Sequence, residues 1–330
     1  MRVLQLRAYD GRSESLTIAD VPDPRPGPGE VLVRVAASPI NPSDLAFLSG
    51  RYGFTKPLPA IPGFEGSGTV IDAGPGLMSR YLKGKRVACT TADPKIAGGT
   101  WAEYVVTSAQ LCIPLSKKVS LDQAAMMLVN PISAWAMVDE ARRAGDRAIV
   151  QTAAASALGR MVIRLGKRFN LRVINVVRRP EQVELLKHEG SEHVLNSADP
   201  NFDAELKTLA RQLGATIALD AVAGELTARV LRAQPKKSRV LVYGALSMAA
   251  VQADPSSLVF EEKRVEGFWV SAWLARQTFL SKLRLARRIQ SLLATDLKSE
   301  VRAKVPLEKA VDAIQEYAKD MTAGKILITP

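Results

Sequence analysis

The stretch from Gly145 to Arg179, GDRAIVQTAAASALGRMVIRLGKRFNLRVINVVRR, constrains the possible folds more than any other part of the chain. Ala148–Gln151 is short, apolar and β-branched, and Thr152–Ala157 consists of small residues. Leu158–Phe169 has the apolar spacing of a helix, and Val173–Val177 reads as a second buried strand ending in Arg178 and Arg179. Strand, small-residue turn, helix and strand together make half of a dinucleotide-binding βαβ unit. The turn departs from the G-x-G-x-x-G pattern. Only Gly159 is present, beside Ala153, Ala154, Ala155 and Ala157. Alanine lets a phosphate approach closely but reaches a positive φ only with strain. On its own the loop also suits an ordinary βα turn, so the surrounding chain has to decide.

From Gly145 onward strands and helices alternate. Strands are expected near 147–152, 172–177, 193–196, 216–222, 239–245 and 265–270, with helices near 156–169, 180–189, 202–213 and 224–233. This is the pattern of a doubly wound parallel sheet, whose ligands sit outside the carboxyl ends of the strands. Up to about Ser116 the chain reads instead as strands and turns with almost no helix, the pattern of a small β-barrel. At Ser120-Leu121-Asp122-Gln123 a capping box opens a helix, Asn130-Pro131 interrupts it, and Ser133–Arg143 forms another. A long basic helix runs from Arg276 to about Ala294, and a last short strand closing at Thr329-Pro330 returns to the first domain.

The length of 330 residues allows roughly two domains. No apolar run approaches the ~20 residues of a membrane span. The opening MRVLQLRAYDG reads as a strand and turn rather than a targeting segment, so a cytoplasmic enzyme is expected. Two isolated cysteines, Cys89 and Cys112, and two histidines, His188 and His193, cannot assemble the usual Cys/His zinc site, and no metal is expected. The net charge is +12, but the cations are spread along the chain without aromatic interleaving. That favours an anionic small-molecule partner, such as a phosphorylated cofactor or an acyl carrier, over nucleic acid.

Several segments resemble one family. They are Ile40–Leu45 (INPSDL), Gly50–Gly53 (GRYG), Pro62–Val70 (PGFEGSGTV), Lys83–Val87 (KGKRV), Gly98–Val106 (GGTWAEYVV), Asn130–Trp135 (NPISAW), VQTAAASALGR, INVVRR, Val242–Ser247 (VYGALS) and Glu266–Trp273 (EGFWVSAW). In this order they resemble the medium-chain dehydrogenase/reductase superfamily, on its zinc-free branch of quinone oxidoreductases and 2-enoyl thioester reductases. GRYG, INVVR and GFWVSAW are most similar to the trans-2-enoyl thioester reductases. The resemblance implies an α/β protein with a GroES-like β-barrel catalytic domain, residues 1–119 and 277–330, and a Rossmann doubly wound parallel sheet, residues 120–276. It also implies a homodimer, built through the strand near Glu266–Val270. The zinc-dependent members carry cysteine where Asn41 stands and histidine where Phe64 stands, so zinc-polarised alcohol oxidation is not expected.

The site residues follow from residue chemistry and resemblance together. A second strand that ends Val177-Arg178-Arg179 offers guanidinium groups to a 2′-phosphate where NAD-binding folds offer a carboxylate, which favours NADPH. The same pair could be a solvated strand end. Ala155, Ser156, Leu158 and Gly159 are expected at the pyrophosphate. By resemblance, Asn130, Tyr243, Gly244, Ala245, Phe268 and Trp269 border the cofactor. Tyr52 stands where the enoyl reductases have their proposed catalytic tyrosine, and Asn41 suits the nicotinamide carboxamide or the substrate carbonyl. Trp269 and Trp273, with Tyr52, would line the acyl pocket, although core packing explains either tryptophan equally well. The basic helix Arg276–Arg288 could meet the phosphates of coenzyme A or an acidic carrier, or could simply be solvated. The expected activity is NADPH-dependent, zinc-independent reduction of an activated C=C bond, with a trans-2-enoyl thioester preferred. NADPH:quinone reduction is the alternative, and a non-catalytic NADPH- or nucleic-acid-binding protein is the alternative of another class.

Overall fold

A computed structural model describes all residues, Met1–Pro330. The chain divides into two compact units, Met1–Pro131 with Leu280–Pro330, and Ile132–Phe279.

The first unit begins with a separate two-stranded sheet, β1 (Arg2–Leu6) and β2 (Leu16–Asp20). Its main sheet uses β3 (Glu30–Pro39), β4 (Glu65–Ala73), β5 (Arg86–Thr90), β6 (Tyr104–Ser108) and β7 (Cys112–Pro114). The ten-residue β3 is the organising strand. It pairs antiparallel with β4 and β6, and its last residues, Ser38 and Pro39, pair with the strand that closes the chain. Alternation along it sends Val31, Val33 and Val35 inward, onto Val70, Val87, Cys89 and Val105. Burying each such side chain stabilises the unit by roughly 1.5–3 kcal/mol.

Two short helices lie where strands and turns with almost no helix were expected. They are α1 (Pro42–Leu48) and α2 (Leu77–Leu82). The first is locally encoded: Pro42 occupies its first turn, and the Asp44 carboxylate accepts from the Asn41 backbone N–H at 2.8 Å. Next, α3 (Leu121–Ala125) starts where the capping signature places it, with Ser120 accepting from the Gln123 N–H at 3.2 Å. The expected division at residue 119 and the geometric one at residue 131 lie on either side of α3. Its Ala124 and Ala125 are buried, and Leu121 O accepts from Ser67 on β4, so this helix packs with the barrel.

The second unit alternates regularly. The helix α4 (Asn130–Ala144) leads in, followed by β8 (Ala148–Gln151), α5 (Ala157–Phe169), β9 (Arg172–Val177), α6 (Pro180–His188), β10 (His193–Asn196), α7 (Phe202–Leu213), β11 (Ile217–Asp220), α8 (Glu225–Ala233), β12 (Arg239–Val242), α9 (Pro255–Val259), β13 (Arg264–Gly267) and α10 (Val270–Ala275). All six strands are parallel, in the order β10-β9-β8-β11-β12-β13. One face of the sheet buries Phe202 and Leu206 of α7 with Val230 and Leu231 of α8 against Val150, Ile174 and Val240. Near the other face, Ile163 of α5 and Leu186 of α6 pack with Val177. The strand expected over 265–270 stops at Gly267, because Trp269 caps α10 with an extended backbone.

The basic helix is α11 (Phe279–Leu292), a turn shorter at its start than the composition suggested. The chain then completes the first unit with β14 (Val301–Pro306), α12 (Ala310–Lys319) and β15 (Lys325–Thr329). The last strand pairs with β14 and with β3, as a strand returning to the first domain must.

Candidate functional site

In the second unit the candidate cofactor residues share one edge of the sheet. Ala153–Gly159 follow β8, Arg178 and Arg179 follow β9, Tyr243–Ala245 follow β12, and Phe268 and Trp269 follow β13. In a parallel sheet these are all carboxyl ends, and the strand order reverses direction between β8 and β11, the position where such sheets bind ligands. The small-residue loop resolves its missing glycines in two ways. Ala153 takes φ +49°, the left-handed turn that the glycine of the usual fingerprint provides. Gly159 holds the close approach: a Cβ there would lie 2.4 Å from the Ala154 carbonyl oxygen. Ser156 caps α5, accepting from the Gly159 N–H at 3.1 Å. The start of this thirteen-residue helix is therefore a site of partial positive charge.

At the end of β9, Arg178 is exposed and Arg179 caps α6. The Arg179 Nε lies 3.2 Å from Glu181. No carboxylate occupies the strand end itself. Gly244 stands where added bulk would meet the Ala221 carbonyl oxygen at 2.9 Å. The Tyr243 hydroxyl is buried without a hydrogen-bond partner, and burial, helped by Asp220, pushes its ionisation up. Trp269 is 45% exposed, and Trp273 follows it one turn along α10. Sequence reasoning missed Asp220. Its buried carboxylate accepts from Thr152 at 2.7 Å, from Thr227 at 2.6 Å and from the backbone N–H groups of Val222 and Ala223. It ties the turns after β8 and β11 together, and no local motif announces it.

In the first unit Tyr52 and Asn41 lie on either side of α1. The Tyr52 ring is half-buried and packs against Phe64 at 4.6 Å and Phe54 at 5.1 Å between centroids. Phe64 is the hub of this aromatic cluster, touching Phe47 as well. Two residues beyond Phe54, the buried Lys56 donates to Gly98 O at 2.7 Å and Thr91 O at 3.2 Å, and burial lowers its pKa to about 8.

Asn41 is 1% exposed and sits inside a network that sequence reasoning did not find. Its Nδ2 donates to Glu65 Oε1 at 2.9 Å, and its Oδ1 accepts from Lys325 Nζ. Beside it, Asp44 accepts from the N–H groups of Asn41 at 2.8 Å and Phe64 at 3.1 Å. The Asp44 carboxyl is pushed up to about 7, mainly because burial penalises its charge and also because Glu65 is near. Burial raises Glu65 too, against the pull of its donors and of Lys325. No three His, Cys, Asp or Glu side chains come together as metal ligands. The two cysteines face each other across β5 and β7, both buried as free thiols.

Comparison with known proteins follows the same division. Residues 27–117 match the alcohol dehydrogenase GroES-like domain, and residues 157–287 match the zinc-binding dehydrogenase domain. The mitochondrial enoyl-[acyl-carrier-protein] reductase of Caenorhabditis elegans is 32% identical over 330 residues, covering 96% of this chain and 88% of its own. That of Mus musculus is 33% identical over 315 residues, covering 91% and 81%. Among solved structures, a Mesorhizobium loti protein provisionally named an NADPH:quinone reductase superposes with a TM-score of 0.92 at 36% identity, covering 100% of this chain and 98% of its own. The Thermus thermophilus quinone oxidoreductase, solved alone and with NADPH, shares the fold at a TM-score of 0.78 and 24% identity, covering 100% of both chains.

The buried Asp44 has a measurable consequence. Its folded-state pKa of about 7 lies above the ~3.9 of an unfolded aspartate. Its contribution to stability is therefore fully present below about pH 4 and is lost as pH rises through about 7. Thermal melts of wild type and Asp44→Asn should show a Tm difference that moves in the variant's favour across that window and levels off above it. A difference that stays flat with pH would remove Asp44 as the titrating group.

Proposed function

The chain belongs to the medium-chain dehydrogenase/reductase family, on the branch of quinone oxidoreductases and enoyl thioester reductases, and from that premise we propose that it is an NADPH-dependent, zinc-independent reductase of activated C=C bonds, with a trans-2-enoyl thioester as substrate. The observation that carries the reading is the carboxyl edge of the parallel sheet. There a capped helix start, packed closely at Gly159, lies next to a strand followed directly by Arg178 and Arg179 instead of a carboxylate. Near-full-length identity to enoyl reductases supports the substrate class.

These residues fit a 2′-phosphorylated dinucleotide. The α5 N-terminus and Ser156 would hold the pyrophosphate, and Arg178 and Arg179 the 2′-phosphate. Tyr243, Gly244, Ala245, Phe268, Trp269 and, from the first turn of α4, Asn130 would border the rest. When bound, the cofactor supplies the hydride for the β-carbon. The protein must then deliver a proton to the α-carbon and stabilise the charge that develops on the carbonyl oxygen. Tyr52 is the proposed proton donor, its ring held by Phe64 and Phe54. Asn41 keeps one Nδ2 hydrogen beyond its bond to Glu65, enough to orient a carboxamide or carbonyl oxygen. Trp269 and Trp273 would flank the acyl chain. Free, buried Cys89 and Cys112 suit a reducing cytoplasm.

The second reading, NADPH:quinone reduction, is favoured by the full-length match to the Mesorhizobium loti protein. It needs the same cofactor site but less exact proton placement.

We also infer a homodimer. The strand β13 is an edge of its sheet, and Val259 and Phe260 near it are 67% and 77% exposed. Pairing β13 with its copy across a two-fold axis would remove the edge. Light scattering should give twice the 35.7 kDa chain mass, and Phe260→Asp should shift it toward the monomer. A monomeric wild type would end this inference.

NADPH oxidation with a crotonyl thioester and with a quinone, under one condition, tests the activity. Turnover of quinone alone would replace the first reading with the second. Tyr52→Phe should lower enoyl reduction about a hundredfold or more, the usual scale for an acid–base group, and leave NADPH binding intact. Unchanged turnover would exclude Tyr52. For the cofactor, Arg178→Ala with Arg179→Ala should weaken NADPH far more than NADH in fluorescence titrations. An unaltered preference would overturn the 2′-phosphate assignment.

A further inference from the structure

Two of the most deeply buried charges in the first unit meet on one neutral side chain. Glu65, the first residue of β4, is 1% exposed, and Lys325, the first residue of β15, is 2% exposed. The carboxylate faces the NH₂ end of the Asn41 amide, and the ammonium faces its oxygen. Each partner is held in turn. Glu65 Oε2 accepts from Leu128 N at 2.8 Å and Val129 N at 3.0 Å, while Lys325 Nζ also donates to Ile40 O at 3.1 Å and Tyr317 Oη at 3.3 Å.

An asparagine amide has nearly the same shape in its two flipped orientations, so packing alone cannot choose between them. Charge can. Turning the amide over would place oxygen against carboxylate and NH₂ against ammonium, two repulsions in a dry interior. A core built only for stability would fill this space with apolar side chains, because desolvating an ion pair commonly offsets its attraction.

We propose that Glu65 and Lys325 are positioning residues that lock the Asn41 amide in a single orientation, and so fix where its remaining Nδ2 hydrogen points. This rests on the reading above, in which that hydrogen meets the cofactor carboxamide or the substrate carbonyl. Asp44 completes the arrangement by fixing the Asn41 backbone N–H. Glu65 joins the same lock to the Leu128–Val129 turn, immediately before Asn130.

The test is a double-mutant cycle of Glu65→Gln and Lys325→Met, read by thermal melts, NADPH titration and steady-state kinetics. In Glu65→Gln the new amide oxygen keeps the two backbone donors and its NH₂ confronts the NH₂ of Asn41. Asn41 can relieve this only by flipping its NH₂ toward Lys325. The double variant removes that ammonium and lets Asn41 flip. Each single variant should therefore lower Tm, and the double should recover part of the sum. Activity should behave differently: kcat/KM for whichever substrate the wild type reduces stays down about a hundredfold in the double variant, the scale expected of a misplaced group, with the loss mainly in kcat. Recovery of activity together with stability would reduce the network to a structural role. Additive melts would show that no charge-set orientation exists. If the wild type reduces neither thioester nor quinone, the functional reading fails, while the melting cycle still decides whether the amide is clamped.

Discussion

The first unit depends on a charge-assisted hydrogen bond between residues 284 positions apart, from the Lys325 ammonium to the Asn41 amide oxygen. Lys325 opens the final strand, and that strand can bring its ammonium to Asn41 only by pairing with β3 in the observed register, Leu327 opposite Pro39. Glu65 opens β4, which pairs with β3 from its other side. Three strands therefore converge on one amide. A slip of one residue in either pairing would turn Lys325 or Glu65 to the opposite face and leave a buried charge without its partner. Losing one member of such a set costs several kcal/mol, so the network penalises wrong registers as well as holding the right one.

The second unit is organised by a different constraint, the close approach of a helix to the loop that precedes it. Gly159 sits against the Ala154 carbonyl, and Ser156 satisfies its N–H. The alanines of the loop shorten every neighbouring side chain to a methyl, which preserves access to the helix start. The cost falls on Ala153, whose left-handed backbone carries strain on the order of 1–2 kcal/mol that a glycine would not. Asp220 compensates nearby. Two threonine hydroxyls and two backbone N–H groups converge on it, so the turns after β8 and β11 are held by hydrogen bonds where the loop sequence is weakest.

What could be read from the sequence was whatever repeats locally. The alternation of the second unit and the Ser120 cap rest on neighbours within a few residues, and each is found in the structure, with Arg178 and Arg179 directly following β9. The elements missed were short or tertiary. The first helix starts inside Asn41-Pro42-Ser43-Asp44, residue types that make a turn as readily as they cap a helix. A helix of six residues such as α2 leaves too little periodicity to see. Asp44, Glu65, Lys56 and Lys325 look like ordinary surface charges in the sequence. Only tertiary packing of distant segments buries them.

Burial also separates the two kinds of charge on this molecule. Exposed ion pairs such as Lys83–Asp72 and Lys187–Glu184 are screened by salt and contribute little to stability. Lys325 and Lys56 are different. Each donates to backbone carbonyls in the interior, where water cannot substitute. Lys56 sits two residues past Phe54 and holds the chain at Thr91 and Gly98, so the loop that carries Tyr52 is pinned at its far end as α1 is pinned at its start by Asp44. The tyrosine and the asparagine thus reside on one short segment fastened at both ends by hydrogen bonds of buried side chains. That fastening lets a mobile-looking loop, rich in glycine and proline, present two polar groups in a fixed relation.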